Sequence, residues 1–554
     1  MPTRRFLLLV TSAFVVTILQ AGGGSSPAPA QTLDALGGRV TSAEEGAMEG
    51  VVVSARKDGS IVTVSVVSDH QGRYRFPRAR LEPGKYALSI RAVGYELAGP
   101  GTASIAAEEP AVADLRLRRV QDITPQLTNG EWITSVPGTS DQKKFLYGCV
   151  GCHTLERVVK SRHNAAAYLK VMARMAGYSN NSHADRPQLR VRPRDLARNF
   201  GPDAEKQAAF LASINLSSGP WTYSLQTYPR VKGKGTRVII TEYDLPRKSL
   251  MPHDVIVDPE GIAWFSSFNE QLLGRFDLKT LTYTEFPIPV QRPDYPKGTL
   301  DLETDPQGNL WLSHMFQTGV VKFDKKTRQF QAWPLPTAIA NDESQQSMVG
   351  PQRWTVDGKV WLNDAGLPGL HRLDLATGAF ETWEPYKDMK PPHSVYGIYA
   401  DSKNNIWFMD FGGENVGKID AATGKVSLFP TPTPRSRPRR GRMDDEDRVW
   451  FAEWRAEKLG MFDTRTEQFR EWPVPTLHTA PYDAVLDRNN QLWSAGMNTD
   501  RVLRMDVASG QFVEFQLPRQ TNIRRIFVDN STTPPTFWVG SNHASSVIRL
   551  EPLE

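Results

Sequence analysis

Cysteine is nearly absent from this 554-residue chain, which holds only two. Two thiols can close at most one bridge, so a disulfide-stapled scaffold is excluded. Long hydrophobic runs are missing too. The longest, Phe6–Leu19, is shorter than the ~20 residues that a membrane-crossing helix needs. Nor does one sign of charge dominate, since 66 Lys and Arg against 61 Asp and Glu leave a net charge of +5. That mildly basic balance favours acidic partners through long-range steering but falls short of a nucleic-acid interface. With 40% hydrophobic and 23% charged residues, neither wholesale disorder nor a fibrous fold fits, and the length suggests about three domains.

What is present begins with an export signature. Arg4 and Arg5 precede the Phe6–Leu19 run, and Ala28-Pro29-Ala30 before Gln31 has the form of a cleavage site. Residues 1–30 are therefore expected to be a signal peptide, with an N-terminal membrane anchor as the competing reading. No cysteine lies nearby to carry a lipid. The mature protein is expected to lack a transmembrane segment and to be periplasmic or otherwise exported.

Three zones follow. Residues 33–119 carry short alternating segments at Gly50–Ala55, Ile61–Val67, Tyr74–Phe76, Tyr86–Ile90 and Leu115–Leu117, with Gly59, Gly72 and Pro83-Gly84 between them. They predict a small β-sandwich. Residues 120–218 have a helical texture, with helices expected over Asp141–Tyr147, Asn164–Tyr178 and Asp203–Asn215 and a loop over Ser179–Asn199. Residues 219–235 read as a linker. From 236 to 554 a tryptophan preceded by a turn recurs at Trp264, Trp311, Trp361, Trp407, Trp450, Trp493 and Trp538, at spacings of 47, 50, 46, 43, 43 and 45. Such periods, with several strands per repeat, predict a β-propeller. The last repeat has room for only one strand after its tryptophan, while Val238–Pro246 matches an outer strand without a blade of its own. Pairing the two closes a ring of seven blades and removes an open edge. The fold class is thus multidomain and mainly β, with a small all-α domain in the middle.

Both cysteines sit in Cys149-Val150-Gly151-Cys152-His153. Cys-x-x-Cys-His is the attachment signature of c-type haem. Two thiols three apart can each bond one vinyl group, and the adjacent histidine can ligate the iron. A redox thiol pair would sit in a strand–helix unit of thioredoxin type, and zinc would need further ligands nearby. The expected cofactor is one covalently attached haem c, with His153 as an iron ligand. Met172 and Met175, three apart on one helical face, are candidates for the other axial position, and His163 and His183 are rivals.

Each zone also resembles a known family. Asp69–Phe76, Leu81–Tyr86 and Ala92–Tyr95 resemble carboxypeptidase regulatory-like domains of transthyretin-like fold, which implies a non-catalytic adhesion or spacer module. The helical zone resembles a class I-like cytochrome c domain, which implies one-electron transfer and, through the pair Arg174-Met175, favours Met175 as the distal ligand. His253–Phe265, and Val449–Trp454 with Leu459-Gly460, resemble virginiamycin B lyase (streptogramin lyase) propellers. That family works through a histidine 11 before a blade tryptophan and a glutamate three after it, a second histidine one blade earlier, and a metal ion.

Here the residues 11 before the tryptophans are His253, Leu300, Gly350, Tyr396, Arg439, Tyr482 and Phe527. Three after them lie Ser267, His314, Asp364, Asp410, Glu453, Gly496 and Ser541. No repeat holds both members, and Arg439 stands opposite Glu453. An arginine stays protonated and cannot act as a general base, which disfavours streptogramin lysis. The candidate site residues are His253, Arg439 and Glu453. With Tyr396, Tyr482, His314, Asp364 and Asp410 they would face one mouth of the channel, as a site for an anionic or metal-bound small ligand. Pro430–Arg442 is expected to be a basic, proline-rich loop that could dock an acidic redox partner. The expected function is electron transfer through haem, with the propeller binding a redox partner protein or a small-molecule electron donor. A propeller-centred lyase or hydrolase with an accessory haem, and a non-enzymatic binding scaffold, are the alternatives.

Overall fold

The computed structural model describes residues 34–220, 222–350 and 357–553, so the expected signal peptide lies outside the described residues. Among them no helix is long and apolar enough to cross a membrane. The molecule is mainly β and multidomain.

Alternating apolar residues build the N-terminal β-sandwich. One sheet is organised around Asp34–Ser42, which pairs with Leu115–Arg119 and Arg73–Pro77. The other contains Val62–Val67, Val52–Lys57, Gly84–Arg91 and Thr102–Ile105 in that order. Side chains from both, among them Leu36, Val53, Val64, Phe76, Leu88 and Leu117, share one apolar core. The strands read from the alternation are present with bounds shifted by a few residues.

Residues 120–218 form short helices: α1 (Asn129–Ser135), α2 (Ser140–Phe145), α3 (Glu156–Val159), α4 (Ala165–Ala176), α5 (Leu196–Phe200) and α6 (Ala204–Ser213). Their starts are capped as the sequence dictates. Thr128 with Glu131, and Thr139 with Gln142, form capping boxes, and the Asn164 side chain accepts from the amide of Ala167. Helices α4 and α6 pack together, burying Tyr168, Met172, Ala208 and Leu211. α5 lies in the segment expected to be a loop.

From residue 238 onward the chain builds a propeller-like domain of repeated four-stranded antiparallel sheets. Six are formed from consecutive strands between Pro252 and Gln516, and a seventh unit joins Ile523–Asp529, Thr536–Ser541 and Ser546–Pro552 to Val238–Asp244. The closing pairing runs in register from Val238 opposite Pro552 to Asp244 opposite Ser546. The first strand of each unit touches the first strand of the next, and the seventh touches the first, so the units form a closed ring.

Each repeating tryptophan lies on the second strand of its unit and is buried. A turn fixes it. In five units an aspartate six residues earlier accepts the indole N–H: Asp258 from Trp264 (2.7 Å), Asp305 from Trp311 (3.0 Å), Asp401 from Trp407 (3.1 Å), Asp444 from Trp450 (2.8 Å) and Asp487 from Trp493 (2.8 Å). The same carboxylates accept backbone N–H groups of their own turns, and the fourth residue of each turn has positive φ: Gly261, Gly308, Asn404, Asp447 and Asn490.

The sandwich is joined to the ring by main-chain hydrogen bonding. Val62–Val67 pairs antiparallel with the free edge of Val238–Asp244, from Val62 opposite Tyr243 to Val66 opposite Ile239. One eight-stranded sheet therefore runs from the seventh unit into the sandwich. Arg91 with Asp500 (2.6 Å) and Arg80 with Glu551 (2.5 Å) add ion pairs along the seam.

Replacing Asp487 with Ala strands the buried Trp493 N–H and the turn amides. Urea unfolding is expected to show a loss of about 1–3 kcal/mol for Asp487→Ala, while Asp487→Asn, which keeps an acceptor oxygen, loses less.

Candidate functional site

The Cys-x-x-Cys-His segment follows α2, where a short 3-10 turn (Leu146–Val150) delivers it. Leu146, Tyr147 and Val150 anchor that turn in the core. Both thiols are free and half-buried. Burial pushes the Cys149 thiol up to about 12 and raises that of Cys152, so both are protonated at neutral pH. The His153 Nδ1 lies 2.9 Å from the carbonyl oxygen of Thr154, an acceptor, so Nδ1 carries the proton and Nε2 keeps its lone pair. Burial lowers the pKa of this histidine and keeps it neutral.

Cys149, Cys152 and His153 line one cavity of about 700 Å³. Met172, Met175, His163 and His183 line the same cavity, with Phe145, Tyr168, Phe200 and Leu211 as apolar walls and Arg157, Arg174 and Arg190 at polar positions. Met172 is buried and Met175 half-buried. His163 is exposed, and the ring of His183 accepts at Nδ1 from the Asp185 amide (3.1 Å), which leaves its proton on Nε2. The residues present fit a covalently attached haem: two available thiols, a neutral imidazole with its outer nitrogen free, thioether sulfurs and an apolar, arginine-bordered cavity.

This helical region sits on one mouth of the ring. The Tyr147 hydroxyl bonds Glu457 Oε1 and His478 Nδ1, each at 2.8 Å, and its ring packs edge-on against Trp454. Arg524 donates to the carbonyl of Gly151 (3.4 Å), inside the cysteine motif itself. One apolar cluster runs from Trp132, Tyr147 and Val150 to Phe268, Tyr396, Tyr482 and Met497 of the ring.

Beneath that contact the first strands share an irregularity. In five units the pairing register slips across two residues: His253-Asp254, Tyr396-Gly397, Arg439-Arg440, Tyr482-Asp483 and Arg524-Arg525. The second residues form a charged layer. Arg440 pairs with Asp254 (2.8 Å) and with Asp301, and Arg525 bonds Glu303 (3.0 Å). These carboxylates also tie neighbouring units together: Asp254 accepts from Leu302 N–H, Asp301 from Val349 N–H and Asp483 from Ile526 N–H. Where the fourth unit has Gly397, the Tyr399 hydroxyl accepts from Gly441 N–H. Burial opposes ionisation of Asp254, yet the Arg440 charge and the His253 hydrogen bond hold its carboxyl well below the usual range.

The first residues of each slip form a second layer, with polar and aromatic groups. His253 is fully buried; its Nδ1 donates to Asp254 Oδ1 (2.6 Å) and its Nε2 accepts from the Tyr482 hydroxyl (3.2 Å), which in turn accepts from Tyr396. Burial pulls His253 down to about 4, so it is neutral. The Arg439 guanidinium lies 4.1 Å from the Tyr482 ring centre, and Arg524 lies 5.7 Å from it.

Several expectations are corrected by this geometry. The structural counterpart of His253 in the seventh unit is Arg524 and not Phe527, because the hairpin before Trp538 is longer and opposes Phe527 to Trp538 itself. In the third unit Gly350 opposes Trp361 in the same way. Of the residues three after the tryptophans, Asp364, Asp410 and His314 are engaged by partners outside the Arg439 layer. Asp364 accepts from the amides of Gln345, Gly366 and Leu367, Asp410 holds His393 and the amides of Ser394 and Gly413, and His314 bonds Gln271. Glu453 is buried without a conventional partner; burial and the neighbouring Glu471 push its carboxyl up to about 9. Pro430–Arg442 is not an exposed basic patch either. Pro438–Met443 is an inner strand, and Arg439 and Arg440 are buried within the ring. Sequence reading missed Arg524 and Arg525. The repeated pattern of an apolar residue or proline, two polar residues and a return to apolar at Pro438–Gly441 and Ile523–Ile526 would have found them. It also missed His543, whose two ring nitrogens are buried without partners and which burial, then the charge of Arg524, hold at about 3.

Residues 230–504 match the model of the virginiamycin B lyase family. Residues 35–118 match the model of the carboxypeptidase regulatory-like domain. No curated protein matches the chain. Similar solved structures include a streptogramin B lyase, 20% identical over 58% of this chain and 99% of its own length with a TM-score of 0.49. Virginiamycin B lyase from Staphylococcus aureus is 20% identical over 56% of this chain and 99% of its own, with a TM-score of 0.48.

The raised Glu453 carboxyl has a consequence for stability. Its folded pKa of about 9 lies above the unfolded value, so its contribution is full below about 4.5 and is lost as pH rises through 9. Glu453→Gln is expected to remove that slope. Denaturant unfolding of variant and parent should diverge with rising pH, the variant becoming more stable by several kcal/mol at pH 9.

Proposed function

We propose that the chain is an exported c-type cytochrome that binds one haem covalently and transfers electrons, with the propeller-like domain, read as seven blades, binding the redox partner or small-molecule donor. The observation that supports this most is the convergence of both free thiols, His153 and two methionines on one cavity. Cys149 and Cys152 would hold the porphyrin through thioether bonds, and His153 would ligate the iron through Nε2. Met175 would be the second residue to hold the iron, since Met172 is committed to the α4–α6 core, His163 is exposed and His183 carries its proton on Nε2. When bound, the haem supplies a one-electron couple whose potential methionine ligation raises relative to histidine.

The chain's own residues perform the rest. The Thr154 carbonyl fixes the tautomer and orientation of His153. The apolar walls from α4 and α6 would exclude water, and Arg157, Arg174 and Arg190 would match the negative charge of porphyrin carboxylates. The contacts of Tyr147, Val150 and Gly151 with Glu457, Asn522 and Arg524 hold the motif against the ring, so a species bound at that mouth lies beside the redox centre. Export fits the chemistry, because thioether attachment of this kind takes place outside the cytoplasm.

Protein made together with the haem-attachment machinery is expected to show a c-type α-band in its reduced-minus-oxidised spectrum, with haem retained after denaturation. The double variant Cys149→Ser, Cys152→Ser is expected to lose that retained haem. Met175→Ala should lower the reduction potential, while Met172→Ala should act mainly on stability, by about 2–5 kcal/mol. Wild-type protein without covalent haem under these conditions overturns the reading.

A further inference from the structure

The two layers inside the ring are neutralised to different degrees. In the deeper layer Arg440 and Arg525 are each paired with carboxylates of other units, those of Arg440 reaching from the far side of the ring. In the layer under the cysteine motif, Arg439 and Arg524 are almost as deeply buried, at 7% and 6% exposure, yet no carboxylate among the described residues pairs with either. An isolated buried charge is costly, so two of them facing one tyrosine call for a compensating group.

The neighbours do not provide it. Burial raises the Tyr482 hydroxyl well above its ordinary value, so it is a neutral phenol. Tyr396 and His253 are tied into the hydrogen-bond chain that ends on Asp254, and Asp254 is engaged by Arg440. Aromatic faces cover the Arg439 plane, with Tyr482 at 4.1 Å, Phe411 at 4.4 Å and Tyr396 at 5.2 Å from the guanidinium carbon. Its N–H edge is little used: one Nη donates to the Met497 sulfur at 3.4 Å, and Nε has no partner. Arg524 makes one long bond to the Gly151 carbonyl and can donate through Nε to Asn542 at 3.3 Å. Burial, and the like charge of Arg439, lower its pKa.

We propose that Arg439 and Arg524 form a binding site for a carboxylate, at the seam between the ring mouth and the Cys149–His153 segment. A guanidinium fork matches the two oxygens of a carboxylate, and aromatic faces on either side keep the forks in place. The carboxylate has two chemical sources: a free small organic acid, or a carboxylate carried by the group attached at Cys149 and Cys152. The site itself stands on the two unpaired arginines and does not depend on the haem reading.

Isothermal titration of the full chain with sodium acetate at constant ionic strength tests the site, using protein made with the haem-attachment machinery and the Cys149→Ser, Cys152→Ser variant. Acetate is expected to bind at least one form with one-to-one stoichiometry, and Arg439→Gln is expected to weaken it at least tenfold. Binding to both forms assigns the site to a free acid. Binding to the cysteine variant alone assigns it to a carboxylate of the attached group. No binding to either form, or unchanged affinity in both Arg439→Gln and Arg524→Gln, overturns the proposal. Thermal unfolding in acetate-free buffer gives a second readout: loss of an unpaired buried cation is expected to leave the Tm unchanged or higher. A lowered Tm with unchanged acetate affinity marks the arginine as structural and also overturns it. If Arg439→Gln does not fold, Arg524→Gln carries the same two readouts.

Discussion

The ring, the sandwich and the seat of the cysteine motif all depend on how one strand is hydrogen-bonded. Val238–Asp244 pairs along one edge with Ser546–Pro552 and along the other with Val62–Val67. Without the first pairing the seventh unit would have three strands and the ring an open seam. Without the second, a long strand edge would face solvent as a template for non-native pairing. A single segment thus closes the ring and removes the edge that closing leaves behind. The mouth on which the helical region rests keeps its shape because the ring is closed.

Inside the ring, the slipped register of the first strands decides which side chains reach the centre. Each slip places two consecutive residues where regular alternation would allow one, so the centre holds two layers. The deeper layer is used for assembly: its aspartates accept amide protons from the next unit, and Arg440 offsets their charge. The upper layer is freed from that duty and faces the cysteine motif. Structural and ligand-directed roles are divided between adjacent residues of the same strand, which explains how a centre this polar can be both tightly tied and chemically available.

Much of the architecture was legible in the sequence. The Trp period reports a local device, the aspartate turn that binds the indole N–H, so it survives as a pattern even where other residues change. The outer strand at Val238 was readable for the same reason, because a strand without a blade must find one. The cysteine motif and the helices around it carry their own signatures, and the structure places its residues along one cavity. Other features were hidden. Asp34–Ser42 escapes alternation because Gly37-Gly38 interrupts it, with the Cβ of Gly38 replaced by the close approach of the Ala113 carbonyl. Counting eleven residues back from each tryptophan fails wherever the hairpin lengthens, so Arg524 was passed over for Phe527. The basic run at Pro430–Arg442 was misread because composition cannot tell a solvated arginine from one held in a ring of carboxylates and aromatic faces.

The pairing between Val238–Asp244 and Ser546–Pro552 also orders events in time. As the chain emerges during synthesis, the sandwich and the cysteine segment are complete some 300 residues before the strand that closes the ring. Throughout that interval the motif has its own helices but no closed ring mouth to rest on. Closure then brings Asn522 and Arg524 over the motif from the late-arriving seventh unit. The contacts that seat the motif on the ring are therefore among the last to be completed as the chain is made, because Asn522 and Arg524 belong to the seventh unit.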